Sequence, residues 1–219
     1  VFALGGEDTC ENPAAARKGH PISVLIDNGG DDTYSGGDNS TAGALAGYAM
    51  LLDVAGDDTY SGGSMSQGFG MYGVGALIDA TGDDSYTAGE MVHGAALFGL
   101  GVLSDLDGAD EYKAKLYAQG FGMTKGIGVI ADVKGADSYS VTGAYPSTYG
   151  TKGEWHAMSM GFGLGFRLFA AAGIGVITDF EGDDTYTCGE FGLGGGYFYG
   201  LGIVHDRDGN DIYTASRYG

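Results

Sequence analysis

The chain has 219 residues and carries 29 Asp and Glu against 10 Lys and Arg, a net charge of −19. That balance argues against nucleic acid and anionic membrane surfaces as partners, and in favour of cations. Its 45 glycines follow no G-X-Y triplet, which excludes collagen, and a 43% hydrophobic content with 15 Tyr and 10 Phe is too apolar for a disordered chain.

In chain order, one pattern recurs: D-x-x-G-x-D-x-Y. Residues 1–26 hold a degenerate copy, with Gly6, Asp8 and Cys10 at the Gly, second Asp and Tyr positions and Ala3 in place of the first Asp. The chain begins inside a repeat and without Met, which reads as a processed or partial chain. Glu11-Asn12-Pro13 interrupts this coil, and Ala14-Ala15-Ala16-Arg17-Lys18 is expected as a short helical or cap-like piece. Seven full copies follow, with first Asp at Asp27, Asp53, Asp79, Asp105, Asp132, Asp179 and Asp206. The second Asp is Asp32, Asp58, Asp84, Asp110, Asp137, Asp184 and Asp211, and the Tyr is Tyr34, Tyr60, Tyr86, Tyr112, Tyr139, Tyr186 and Tyr213. Steps are 26 or 27 residues, except one of 47 between Asp132 and Asp179.

That period is too short for a propeller blade or a two-helix repeat, and the L-x-x-L-x-L of leucine-rich repeats is absent. Glycine interrupts every segment and helix-start signals are missing, so short strands joined by Gly and Asp turns are the remaining solution. The expected fold is all-β: one parallel β-solenoid, or β-helix, over 1–219, of about eight coils of ~26 residues. One inserted loop is placed at about 142–161. No apolar run reaches the ~18 residues of a transmembrane helix.

Each coil is expected to hold three short strands. The strand before each first Asp, such as Gly73-Val74-Gly75-Ala76-Leu77-Ile78, gives three apolar columns down the array. Ile22, Tyr48, Val74, Leu100, Ile127, Ile174 and Leu201 form one; the columns of Ala76 and of Leu77 form the others. Alternation puts the first two on one face and the third, with the strand glycines, on the other. Either a bend flips this parity before Leu77 or something covers one apolar face; an open apolar sheet face would be an association surface. A third strand is expected to include Gln67-Gly68-Phe69-Gly70 and its equivalents, and His93 falls in the Gln67 and Gln119 column as a polar ladder member. The Tyr column is expected in the core, ring upon ring. Cys10 and Cys188, six coils apart, are too distant for one disulfide.

Stacking at ~4.8 Å makes each Asp column a row of like charges, repelling by ~1 kcal/mol per neighbour in water and ~3.5 at an effective dielectric of 20. Three remedies exist: backbone N–H groups, raised pKa values, or bound cations. Calcium suits oxygen-rich turns of this kind. The candidate ligands are both Asp columns, from Asp27 and Asp32 to Asp206 and Asp211, with Asp107 and Asp208 beside Gly bends. The alternative, Asp as an Asx-turn former that closes the bend through its own backbone, needs no ion.

Gly29-Gly30-Asp31-Asp32-Thr33-Tyr34-Ser35-Gly36-Gly37 resembles the calcium-binding nonapeptide G-G-x-G-x-D-x-U-x of RTX β-roll proteins. On that pattern Gly30 is the third Gly, Asp32 the calcium Asp and Tyr34 the inward apolar residue. Asp27 stands where the first RTX Gly would be, and the motif recurs once per coil instead of every nine residues. The resemblance therefore implies a single calcium edge. It also implies a secreted chain, extracellular or at the cell surface, that folds on meeting external calcium.

No Ser-His-Asp order, H-E-x-x-H or CxxC is present, so the chain is not expected to be an enzyme. The expected role is structural: a filament, surface-layer or adhesin subunit that self-associates end to end or side by side. The alternative is a carbohydrate-binding or polysaccharide-degrading β-helix using the insertion at 142–167, with Glu154, Trp155 and His156 as its ligand- or partner-binding residues and a cell-surface glycan as the partner.

Overall fold

In a computed structural model the described residues are 5–147, 149, 152–170 and 173–217; Ala3 and three residues of the insertion lie outside them. The chain winds as a parallel β-solenoid of about eight coils, with no helix among the described residues. Two long sheets run the length of the stack. The tyrosine sheet has strands Thr9–Glu11, Thr33–Ser35, Thr59–Ser61, Ser85–Thr87, Glu111–Ala114, Ser138–Val141, Thr185–Glu190 and Ile212–Arg217. The leucine sheet has Ile22–Ile26, Gly47–Leu52, Gly73–Ile78, Leu100–Ser104, Ile127–Ala131, Ile174–Asp179 and Leu201–Asp206. Neighbours are parallel and in register, so Tyr34 pairs with Tyr60 and Leu77 with Leu103.

The motif turn links the two sheets and explains its own glycine. Gly56 sits at φ +146, and a Cβ there would strike the carbonyl of Gly30 in the coil before. Only glycine meets both demands. Strand preference comes from the β-branched, aromatic and hydroxyl residues on either side of that turn.

Inside, the Leu25, Leu51, Leu77, Leu103, Ile130 and Ile177 side chains meet the tyrosine rings in one buried cluster. The rings stack with centroids 4.7–4.9 Å apart and planes within 2–13° of parallel. Each buried leucine contributes roughly 1.5–3 kcal/mol from water exclusion. A second cluster, with Phe69, Phe121, Phe162, Met123 and Leu164, fills the other end of the cross-section.

The third side of the coil differs from expectation. Instead of a full strand it holds two-residue pieces, Gly70–Met71, Ala96–Leu97, Gly163–Leu164 and Gly196–Tyr197, and isolated bridges. Left-handed residues precede them: Met65 (φ 58), Gln67 (φ 51) and Gly68 (φ 79), repeated at Met91, His93 and Gly94. Such residues cannot continue a pleated ladder. The segment instead lies against the leucine sheet's inner side, where a Cβ on Gly75 would strike the Phe69 carbonyl and one on Gly128 the Phe121 carbonyl. The glycine column thus exists for close backbone approach.

This settles the parity. Gly75, Leu77 and Asp79 face inward; the Val74 and Ala76 columns face outward with no intervening bend. Ala14–Lys18 is not helical either: Ala16 bridges to Ala44 and Arg17 to His20. Cys10 and Cys188 are both free.

Candidate metal centre in the aspartate ladders

Both Asp columns point into the solenoid. Asp79, Asp105, Asp132 and Asp179 are fully buried and Asp58, Asp84, Asp110 and Asp137 almost so. The first Asp ends a leucine-sheet strand on its inward parity, and the second follows the Gly turn just before the tyrosine strand. The turn therefore folds the two columns toward each other.

Each column has one oxygen satisfied by a neighbouring coil. The Oδ1 of Asp58 accepts the main-chain N–H of Asp32, that of Asp84 the N–H of Asp58, and so on to Asp211, at 2.5–3.1 Å. The first Asp accepts a tyrosine hydroxyl from the coil before: Tyr86 to Asp105 at 2.6 Å, Tyr112 to Asp132 at 2.7 Å, Tyr139 to Asp179 at 2.8 Å. Burial and these carboxylates push the tyrosine hydroxyls well above their ordinary pKa, so they remain donors.

The other oxygen is left over. Oδ1 of Asp79, Asp105, Asp132 and Asp179, and Oδ2 of Asp84, Asp110, Asp137 and Asp184, are buried and make no well-formed hydrogen bond. The same residues fall in clusters in which one carboxylate oxygen of each lies within 4.8 Å of the others: Asp58 with Asp79 and Asp84, Asp84 with Asp105 and Asp110, Asp110 with Asp132 and Asp137, Asp137 with Asp179 and Asp184. Asp27, Asp32 and Asp53 form another at the start of the stack. Such groups can hold a metal ion.

Unneutralised, the carboxyls along the middle of the stack resist ionisation. Burial first, and neighbouring carboxylates next, push Asp84 and Asp132 up to about 10. Burial likewise drives Asp110 to about 9, Asp58 to about 8, and Asp79, Asp137 and Asp184 to about 7, against an opposing main-chain or tyrosine hydrogen bond.

The remaining expected ligands stand elsewhere. Asp107 and Asp208 are exposed on the outer side of their turns, and Asp107 pairs with Lys134 at 3.1 Å. They are not drawn inward with Asp105 and Asp206. In the last coil Asp206 and Asp211 are half-buried, with Asp206 accepting Tyr186 and Tyr213. Asx capping is present too: Asp27 accepts the Asn28 N–H at 2.8 Å and Asp53 the Ala55 N–H at 3.1 Å, and main-chain N–H groups of Leu106 and Asp107 approach Asp105 and that of Phe180 approaches Asp179. The tyrosines as carboxylate donors were missed by the sequence reading. The signal was there: all seven copies carry Tyr, never Phe, although six of the seven positions are buried.

The insertion forms a separate feature. Trp155 is packed against Gly143 and Gly189, and its Nε1 donates to the Val141 carbonyl at 3.0 Å. His156 Nδ1 lies 3.1 Å from the buried Glu190, and Arg217 reaches Glu154 at 3.5 Å. These contacts fasten the insertion to the tyrosine sheet. His156 also borders a cavity of about 420 Å³ walled by Tyr117, Tyr149, Phe162, Phe191 and Tyr197. His93, fully buried between Tyr86 and Tyr112, has no partner at either ring nitrogen, whereas Gln67 and Gln119 each donate to main-chain carbonyls.

Comparison with family models, with curated proteins and with solved structures found no match.

Proposed function

We propose that this chain is a calcium-stabilised structural solenoid, secreted or displayed at a cell surface, serving as a filament, surface-layer or adhesin subunit. One observation carries the reading: in the four central coils from Asp79 to Asp184 both carboxylates are buried with one oxygen lacking a hydrogen-bond donor, and carboxylates of adjacent coils cluster within 4.8 Å. Two ionised carboxylates per coil are balanced by one divalent cation per coil, which also removes the repulsion along both columns. An all-oxygen, carboxylate-rich cluster favours calcium or magnesium over softer metals, and calcium's irregular shell of six to eight oxygens accommodates carboxylates that each offer one oxygen. The similarity to the RTX nonapeptide agrees with that choice. External calcium is abundant enough for sites of modest affinity, which supports an extracellular setting.

Melting followed by circular dichroism, in calcium and then in chelator, is the test. A melting temperature that drops by many degrees in chelator supports ion-filled ladders. An unchanged one leaves the carboxyls protonated or capped and removes calcium from the account. A carbohydrate-binding reading has the aromatic-walled cavity beside His156 in its favour. Glycan binding that is lost on Tyr197→Ala would establish it.

A further inference from the structure

We propose that two copies of this chain pair face to face through the outward side of the leucine sheet. This deepens the structural role proposed above by naming the assembling surface and its partner. Every leucine-sheet strand presents three outward positions, and none of them is Asp, Glu, Lys or Arg. Ser104, Thr178 and His205 are the polar members; the others are Ile, Val, Leu, Met, Ala and Tyr. Ile22 is 72% exposed, Tyr48 62% and Leu201 52%. At the adjoining corner Tyr72 and Phe98 are also exposed and stack with ring centroids 5.2 Å apart. In a chain of net charge −19, a face without a single carboxylate stands apart from the rest of the surface.

Area and shape choose the occupant. Seven strands at ~4.8 Å by about five residues at ~3.3 Å cover roughly 500 Å². Soluble monomers rarely leave contiguous apolar patches beyond a few hundred Å². Two such faces, with the corner aromatics, bury about 1,200 Å² in total, the lower bound of specific interfaces. Side-chain rows repeating every ~4.8 Å meet their equal only in another ladder of the same repeat, and two sheets interdigitate ~10 Å apart. A twofold axis across the face makes the contact isologous and closed. The exposed acids Asp31, Asp57 and Asp83 lie on the motif turns, beyond the sheet edge, so the paired faces bring no carboxylates into opposition. A charged partner would find no complement here.

Sedimentation equilibrium of the full chain, in calcium and in chelator, tests the pairing. Wild-type protein is expected at twice the 22.3 kDa chain mass. Val102→Lys with Val129→Lys, both outward at the sheet centre, is expected to give a monomer with unchanged circular dichroism. The gentler pair Val102→Thr with Val129→Thr keeps shape and strand preference and is expected to raise the dissociation constant at least ~10-fold. This pair decides the matter if the lysine pair fails to fold. Ile212→Lys, exposed on the tyrosine sheet, is expected to leave the dimer intact. A wild-type chain that stays monomeric up to ~100 µM overturns the proposal. So does a threonine pair with unaltered dissociation constant, or a dimer broken by Ile212→Lys alone. A monomer that still melts lower in chelator overturns the pairing and spares the cation reading; a dimer indifferent to chelator does the reverse.

Discussion

Asp132→Asn changes one atom in the middle of the ladder. Asp132 is fully buried, accepts the Tyr112 hydroxyl at Oδ2, and has no donor at Oδ1. Burial, then the charges of Asp137 and Asp105, push its carboxyl up to about 10. Without a cation, folding at pH 7 therefore takes up a proton that the unfolded chain, with a carboxyl near ~3.9, does not hold. At ~1.36 kcal/mol per pH unit, that uptake costs about 4 kcal/mol, an upper bound because neighbouring carboxyls share protons. Asparagine avoids the cost and still accepts from Tyr112. In chelator the variant is expected to melt higher, by up to roughly 10 °C for a chain this long. With calcium saturating, the same change removes a ligand and upsets the charge balance, so the variant melts lower and binds the ion more weakly. Scanning calorimetry in both buffers reads the reversal. A variant no more stable than wild type in chelator refutes the buried-charge reasoning. One more stable in both refutes the bound cation.

The pH dependence carries the same sign logic. Folded pKa values of about 7 to about 10 at Asp58, Asp79, Asp84, Asp110, Asp132, Asp137 and Asp184 exceed the unfolded value. In chelator this stabilisation is full below pH ~4 and is lost progressively as pH rises from there, the loss being complete once pH has passed the folded values of ~7–10; in calcium the trend inverts, because acid protonates the ligands. Urea midpoints across pH, with and without calcium, separate the two. Tyr112→Phe keeps the ring stack but leaves both Asp132 oxygens without a donor, at a cost of about 1–3 kcal/mol by urea denaturation. No loss there would dissociate the tyrosine column from the carboxylates. Leu103→Ala, fully buried between Leu77 and Ile130, is expected to cost about 2–5 kcal/mol; a cost below ~1 would place that column outside the core. His93 is held down to about 3 by burial, so its contribution is present above pH ~6.5 and lost as pH falls. His93→Gln, which extends the Gln67 and Gln119 ladder, is expected to melt higher at pH 5, and a lower melting point would count against that ladder.

The repeat is legible without coordinates because a solenoid places equivalent residues in contact. A period of about 26 residues, seven D-x-x-G-x-D-x-Y copies and matched apolar columns imply in-register stacking. The observed register, Tyr34 on Tyr60 and Leu100 on Ile127, follows that arithmetic. Period-two alternation also separates the Val74 and Ala76 columns from that of Leu77. It does not say which face is inside, since both are apolar. Nor does it show the third side of the coil, where Met65 and Gln67 adopt a left-handed backbone that no side-chain pattern announces. Those residues aim Phe69 into a second core and bring its carbonyl onto Gly75.

What the chain determines on its own is therefore local and periodic: glycine where a turn needs positive φ, and one coil laid upon the next. Which Asp oxygens find a tyrosine or a main-chain N–H, and which are left facing each other, was decided only when the turn brought two sheets together. Hydrogen-bond satisfaction depends on distances between segments, and a burial pattern records only how deep a residue lies. The same holds for His156 beside Glu190 and for the uncovered leucine-sheet face, both products of packing between residues far apart in sequence.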